Sequence, residues 1–263
     1  MTAQPAPDTI FNESMEAAIA MLLQTVPPNE LEIKRLEREA TKLAKIDPSG
    51  AMEVRAYIAA ARADLDAANE LFAKALLISN DFRGTVVRNL MLLAHTGQSE
   101  RVMDVFGQHH DAIRSDPAAL RTASQLLGYT GWLMTAKKVD DELLRMGVKT
   151  LTVSDGDVEE PTTIDTRGFT ELDFAKAIGF AHRFLRSKGA RPRATRPRAI
   201  AYEDGRSAIL FELMLEKSPQ ELSELEWELF GAMSEAAFPA EEQGMLVLAL
   251  GTNQAVIDAD SVH

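Results

Sequence analysis

The sequence predicts a mainly α-helical protein, with a helix-turn-helix solenoid in the N-terminal half and a small α+β domain after it. Residues 64–72 have an echo at residues 98–106, an offset of 34 residues, and that spacing is typical of stacked helix pairs. After Gly147 the helical pattern gives way to glycine, threonine and acidic residues. We therefore predict a flexible leader over residues 1–10, a helical domain over 11–147 and a small α/β sandwich domain over 148–263.

The N-terminal half has the apolar spacing of consecutive short helices from Phe11 onward. Proline follows Asp47 and Asp116, and because proline disfavours helix in the residue before it, each pair marks a helix boundary. After the first boundary, helices are predicted at roughly 50–62, 65–79, 83–96, 99–113, 117–130 and 133–146. Small residues 34 positions apart mark the tight corners between paired helices, and these are Ala63, Gly97 and Gly131.

These units resemble tetratricopeptide repeats, in which an alanine-like position precedes an aromatic residue by four positions. Counted from Ser49, Arg83 and Pro117, the two positions hold Ala68 and Phe72, Val102 and Phe106, and Ala136 and Asp140. The third unit departs from the family pattern at Asp140. The resemblance implies stacked helix pairs that bind other proteins, and a non-repetitive helical bundle is the alternative.

The resemblance also implies that the fifth, ninth and thirteenth residues of each unit line a concave face. Aromatic, methionine and polar side chains are mixed there, which suits an amphipathic peptide or helix of a partner protein. The predicted protein-binding residues are Glu53, Tyr57, Met91, His95, Arg121, Gln125 and Tyr129. The alternative is that some of them bury against the second domain.

Five further elements are predicted after residue 147. They are a strand at 151–153, a helix over 170–188, a hairpin with its turn at 204–205, a helix beginning at 218–219 and a strand over 245–250. Thr170 with Asp173 and Ser218 with Glu221 have the spacing of capping boxes. Strand, helix, hairpin, helix, strand is the order of ferredoxin-like domains.

A basic segment in the second domain contains no acidic residue. Besides Lys188 it comprises Arg183, Arg186, Arg191, Arg193, Arg196 and Arg198. Such a segment attracts an acidic surface or phosphates, although its predicted loop, residues 189–198, lacks the aromatic residues on which single-stranded nucleic acid stacks. After Lys217 the charged side chains are acidic apart from any charge on His263, and they form either a solvated face or partners for the basic segment.

Composition and motifs exclude several classes of function. The chain has 263 residues, no cysteine and a net charge of −12, which argues against a general nucleic-acid binder. It has no apolar run long enough to cross a bilayer and no secretion signal, so a cytoplasmic location is expected. Nucleophile-elbow, phosphate-loop, dinucleotide-binding and zinc-hydrolase motifs are absent, and we expect neither a metal nor a cofactor.

The predicted function is therefore non-catalytic protein–protein interaction. The chain would act as an adaptor, a chaperone, or an assembly or neutralising subunit that uses the concave helices, the basic segment or both. One alternative is a nucleic-acid- or nucleotide-binding regulator that uses the basic segment. A second is an enzyme whose site lies in the C-terminal domain, with convergent carboxylates or His182.

Overall fold

The computed structural model describes residues 7–24, 28–148, 170–201, 207–238 and 246–252. Within these ranges the chain is mainly helical, with ten α-helices and a small three-stranded sheet. Contacts divide the chain into two compact units, Met1–Thr96 and Gly97–His263. The predicted domain boundary near Gly147 borders residues outside the described ranges and stays a prediction.

The first unit contains five helices: α1 Pro7–Leu23, α2 Glu30–Leu43, α3 Pro48–Ala61, α4 Leu65–Ile78 and α5 Phe82–His95. Helix α1 begins at Pro7, so the last four residues of the predicted leader are helical. Helices α2 to α5 each begin after an Asn or Asp whose side chain accepts a backbone N–H of the first turn, which satisfies a group that the helix leaves unpaired.

The core of the first unit lies around α3, which packs against α1, α2 and α4. Tyr57 and Phe72 are fully buried there, with ring centroids 5.9 Å apart in an edge-on arrangement. Alanines on the facing sides of α3 and α4, such as Ala56 and Ala68, are also fully buried. These small side chains let the two helices approach closely, as the repeat pattern predicts.

The second unit contains five helices and the three strands. These are α6 Ser99–Ile113, α7 Pro117–Tyr129, α8 Leu133–Arg145, α9 Glu171–Ser187, β1 Ala194–Ala201, β2 Ser207–Leu215, α10 Pro219–Ala236 and β3 Leu246–Thr252. Helix α7 packs against α8 and β1, and α6 packs against α9. The eight consecutive short helices α1 to α8 are consistent with the predicted helical repeat.

The three predicted corners adopt the left-handed backbone conformation. The φ angles are 64° at Ala63, 72° at Gly97 and 93° at Gly131. This conformation reverses the chain within a few residues and favours glycine, because a Cβ is strained there. The 34-residue spacing of the corners is thus confirmed as a spacing of helix turns.

The departure of the third unit at Asp140 has a local reason. The Asp140 carboxylate is buried and accepts a hydrogen bond of 2.6 Å from the Ser124 hydroxyl. Ser124 occupies the small-residue position of α7 that faces α8, and its hydroxyl also reaches the Ala136 carbonyl oxygen at 3.2 Å. A polar pair therefore replaces the apolar contact that the family pattern predicts between these helices.

The sheet has the order β1-β2-β3, with β1 antiparallel to β2 and β2 parallel to β3. Helix α10 connects the two parallel strands, as a crossover of this kind requires. Phe211 and Leu213 of β2 bury one face of the sheet against α9 and α10, where Ile178 and Leu229 are fully buried.

Most predicted elements of this unit are confirmed. The helix at residue 170 has its capping box, in which Asp173 accepts the Thr170 backbone N–H, and Glu221 does the same for Ser218 at the start of α10. The hairpin strands pair, and the final strand is present. The predicted strand at 151–153 and the turn at 204–205 lie outside the described residues, so the ferredoxin-like assignment stays a prediction.

The predicted loop over residues 189–198 is wrong from Ala194 onward, where β1 begins. Within the described sheet β1 pairs with β2 alone and is an edge strand. An edge strand tolerates Pro197, whose missing N–H is not needed on the unpaired side. Arg196 and Arg198 therefore lie on a strand and share one of its faces.

Candidate functional site

Two of the predicted protein-binding residues are core residues of the first unit. Glu53 is 1% exposed, and its carboxylate accepts hydrogen bonds from the Arg88 guanidinium and, at 2.7 Å, from the Thr85 hydroxyl. The Tyr57 hydroxyl donates to the Arg88 carbonyl oxygen at 2.8 Å. Burial, with the negative charge of Glu53, raises the pKa of Tyr57 well above its usual range. These two side chains are not exposed to a partner.

The other predicted residues of the first unit, Met91 and His95, are half-buried on α5. Arg88, which the sequence pattern did not single out, organises the neighbourhood of Glu53 and also pairs with Asp81 at 3.2 Å. Its guanidinium lies 5.0 Å from the centre of the Phe11 ring. The sequence contains a signal for Arg88, because this cation lies on α5 seven residues after Asp81, the residue that caps the N-terminus of α5.

In the second unit, Arg121, Gln125 and Tyr129 are spaced four residues apart on α7 and share one face. Gln125 is exposed and Arg121 is half-buried. The Tyr129 hydroxyl donates to the Pro192 carbonyl oxygen at 3.0 Å, and its ring centroid lies 4.6 Å from that of His182 on α9. Burial raises the pKa of Tyr129, although the positive charge of Arg193 acts in the opposite direction and lowers it in part. Tyr129 thus packs against α9 and the residues that precede β1, as the alternative prediction holds.

Three arginines of the basic segment gather at this place, and we call Arg186, Arg191 and Arg193, with Tyr129 and His182, the arginine junction. Burial, together with the positive charges of Arg186 and Arg193, lowers the pKa of Arg191 to about 10. Burial also lowers the pKa of Arg186. Arg186 and Arg193 therefore lie close enough to Arg191 to repel its charge in a partly dehydrated place, which disfavours the charged form of Arg191.

Within the described residues, the hydrogen bonds of the junction differ between Arg193 and Arg191. Arg193 pairs with Glu216 on the neighbouring strand at 3.0 Å. The Nη1 atom of Arg191 is buried, and among the described residues it has no hydrogen-bond acceptor. A buried guanidinium donor without an acceptor is costly, and an anion would satisfy it.

The remaining basic residues are distributed differently. Arg183 donates to the Gly97 carbonyl oxygen, and Arg198 pairs with Glu212 at 3.2 Å. Lys188 pairs with Glu228 of α10, so the acidic run meets the basic segment there. Arg196 is exposed, and in the part of the chain that the structure describes it has no ion pair. The basic segment is thus one converging cluster with four separate neighbours, of which Lys188 and Arg198 pair with carboxylates.

The enzyme alternative would use His182. His182 is 3% exposed beneath Tyr129. Over the described ranges, no group of three His, Asp or Glu side chains has metal-binding geometry, and none of the described helices combines the length and apolar character needed to span a membrane.

Comparison with family models, with curated proteins and with solved structures found no match to this chain.

Proposed function

We propose that this chain is a non-catalytic binding protein that holds an acidic segment of a partner protein at the arginine junction. The observation that carries this function is the buried Nη1 of Arg191, which lacks an acceptor among the described residues while two further arginines add positive charge. A guanidinium offers planar donors that match a carboxylate. Binding of a carboxylate would offset the repulsion of Arg191 by Arg186 and Arg193.

A protein carboxylate is favoured over a nucleic acid by the charge of the whole chain. The net charge of −12 repels a polyphosphate backbone, whereas a single Asp or Glu needs only a local positive field. The Tyr129 ring, which a base would need for stacking, is engaged with His182. A short acidic peptide therefore fits the junction better than an oligonucleotide does.

The helices α1 to α8 support an interaction role as well. The left-handed corners at Ala63, Gly97 and Gly131 recur at the interval of tetratricopeptide repeats, and we propose that these helices are repeats of that kind. Cytoplasmic adaptors, chaperones and assembly subunits work by such stoichiometric binding, and we place the protein among them.

The test is binding of a fluorescein-labelled peptide that alternates glutamate with apolar residues, followed by anisotropy. Arg191→Gln should weaken binding at least about tenfold, because it removes a charge-assisted hydrogen bond. Arg196→Gln, a matched loss of an exposed arginine on β1, should change the affinity by less than about twofold. The difference between wild type and Arg191→Gln should shrink as the pH rises above 10, where the unliganded Arg191 begins to lose its proton.

Two outcomes would contradict this function. Equal binding by wild type and Arg191→Gln below pH 10 would remove the junction as the site. Tighter binding of a single-stranded oligonucleotide than of the acidic peptide, lost in Arg191→Gln, would favour the nucleic-acid alternative instead.

A further inference from the structure

Helix α10 has an exposed aromatic pair that the arginine junction does not involve. Trp227 is 81% exposed and Phe230 is 37% exposed. They are three residues apart and therefore adjacent on the helix surface. A tryptophan buries about 150–250 Å² when it is covered, so this pair is a strong anchor for a partner and an unusual residue choice for a solvated surface.

The helix turns about 100° per residue, and this angle orders the side chains around Trp227. Small or polar residues lie within about 40° of it, namely Gln220, Ser223, Gly231 and Ser234. The opposite side of the helix is buried in the core of the second unit through Leu222, Leu229 and Met233. Trp227 and Phe230 with Ser223, Gly231 and Ser234 thus form a continuous outward face, which we call the α10 surface.

Acidic side chains border the α10 surface along one edge. Four glutamates lie about 60° to 120° from Trp227 on the same side of the helix, and they are Glu221, Glu224, Glu228 and Glu235. Helix α10 contains no Lys, Arg or His. Glu221 and Glu228 pair with Lys217 and Lys188, while Glu224 and Glu235 have no ion pair within the described ranges.

Gly231 is a further sign that something packs on this face. A Cβ added at Gly231 would meet no atom within 4 Å, so the internal packing does not require glycine. Glycine in a helix interior destabilises the helix relative to alanine. Next to Trp227, however, the missing side chain allows a second backbone to approach closely.

We propose that the α10 surface binds an amphipathic helix of another protein whose apolar stripe is bordered by lysine or arginine. Trp227 and Phe230 supply the apolar anchors, and the acidic edge sets the orientation of the bound helix through opposite charges. A second copy of α10 is disfavoured as the occupant, because it has no cation to meet the glutamates. The preferred ligand charge is the reverse of that at the arginine junction, so the two sites take different segments.

The test uses a synthetic amphipathic helix with a leucine stripe and lysine edges, and the same peptide with glutamate edges. Trp227 emission reports binding directly. Trp132, the second of the two tryptophans, is buried with its indole N–H bonded to the Ser99 carbonyl oxygen at 2.8 Å. The lysine peptide should shift the emission to shorter wavelength and protect Trp227 from acrylamide, and added salt should weaken binding.

Three variants give the expected pattern. Trp227→Ala should lower the affinity for the lysine peptide at least about tenfold, as removal of a central aromatic anchor does. This affinity is read by anisotropy of a labelled peptide. Leu77→Ala, an equally exposed apolar residue on α4 at 84%, should leave the affinity within about twofold. Glu224→Gln combined with Glu235→Gln should weaken binding and reduce its salt dependence.

The inference is overturned by either of two results. The first is binding of the glutamate peptide as tight as that of the lysine peptide. The second is burial of Trp227 with rising protein concentration in the absence of peptide, which would make the surface a self-association site. Arg191→Gln should bind the lysine peptide normally, so failure here is distinguishable from failure at the arginine junction.

Discussion

At the scale of single residues, Glu53 and Tyr57 differ most from their predicted role. The repeat register places both on the concave face, yet they are buried and bonded to Arg88 and Thr85. Glu53 and Arg88 form a largely buried ion pair. Removing one member of such a pair lowers the free energy of unfolding by about 3–5 kcal/mol. Periodicity identifies the side of a helix that such residues occupy, but it does not identify what covers that side.

Ala63 is a residue whose backbone conformation does not suit its side chain. Its φ of 64° is left-handed, and its side chain is exposed. Ala63→Gly should raise the free energy of unfolding by about 0.5 kcal/mol, since relief of the Cβ strain exceeds the added entropy of the unfolded chain. Urea unfolding followed by circular dichroism measures this change.

Gly147 provides the matched control for Ala63. Its φ is 75°, and an added Cβ would meet no atom within 4 Å. Gly147→Ala should therefore lower the free energy of unfolding by about 0.5 kcal/mol, because the backbone strain of the added Cβ exceeds the entropy that alanine removes from the unfolded chain. If Ala63→Gly and Gly147→Ala changed the free energy of unfolding in the same direction, the left-handed backbone at residue 63 would not be the cause of its effect on stability.

At the scale of elements, local signals predicted most of the fold. Helix boundaries follow from Asp-Pro pairs, from capping residues such as Ser218 and from the apolar spacing, all of which act within a few residues. The parallel pairing of β2 with β3 was not predicted, because it joins strands separated by a whole helix. The sequence predicts a loop at Pro197, whereas β1 already begins at Ala194. A strand tolerates proline at an edge position, and only the assembled sheet defines which strand is at the edge.

For the candidate site too, the sequence predicts local features but not the contacts between residues that are distant in the chain. The sequence singled out the cations of the basic segment, but not that Arg186, Arg191 and Arg193 converge while Arg183 and Arg198 bond elsewhere. The position of Tyr129 beside the segment depends on packing of α7 against β1. The sequence does not single out Trp227, because the exposed face of a helix is decided by which face the neighbouring elements cover.

The N-terminus of α10 supports a prediction about one element. The Ser218 hydroxyl and backbone N–H both donate to Glu221, at 2.8 and 3.0 Å. Ser218→Ala should lower the free energy of unfolding by about 1 kcal/mol, the usual cost of losing such a cap. Ser223→Ala, the same replacement in the exposed interior of the helix, should be nearly neutral or slightly stabilising. Thermal unfolding of both variants measures the difference.

The pH dependence of this cap follows from Glu221. Hydrogen bonds from the Ser218 backbone, then from Lys217 and the Ser218 hydroxyl, lower the Glu221 pKa to about 2. A carboxylate with a lowered pKa in the folded state stabilises the fold above its ordinary pKa of 4.5, and this contribution is lost as the pH falls toward 2. Glu221→Gln should thus be destabilising near neutral pH, and its difference from wild type should shrink below pH 4.5.

At the scale of the whole molecule, both proposed sites belong to the second unit. The arginine junction draws on α7, α9 and the start of β1, and the α10 surface belongs to the helix that connects β2 with β3. Opposite charge preferences in one unit would let it join an acidic segment and a basic one. Helices α6 to α8 therefore belong to the unit that contains both proposed sites, although the sequence assigns them to a separate helical domain.

This assignment leads to a prediction about two fragments. Residues 97–263 retain the contact of α6 with α9, the Tyr129 hydrogen bond to Pro192 and the Trp132 bond to Ser99. Residues 148–263, cut at the boundary that the sequence predicts, lose all three and uncover the apolar side of α9. We expect the longer fragment to unfold cooperatively in urea, with a tryptophan emission that combines buried Trp132 with exposed Trp227 and shifts to longer wavelength on unfolding. The shorter fragment should unfold at lower urea or without a sharp transition. A sharp transition of the shorter fragment at the same urea concentration would place the boundary at Gly147 and make α6 to α8 dispensable for the α/β elements.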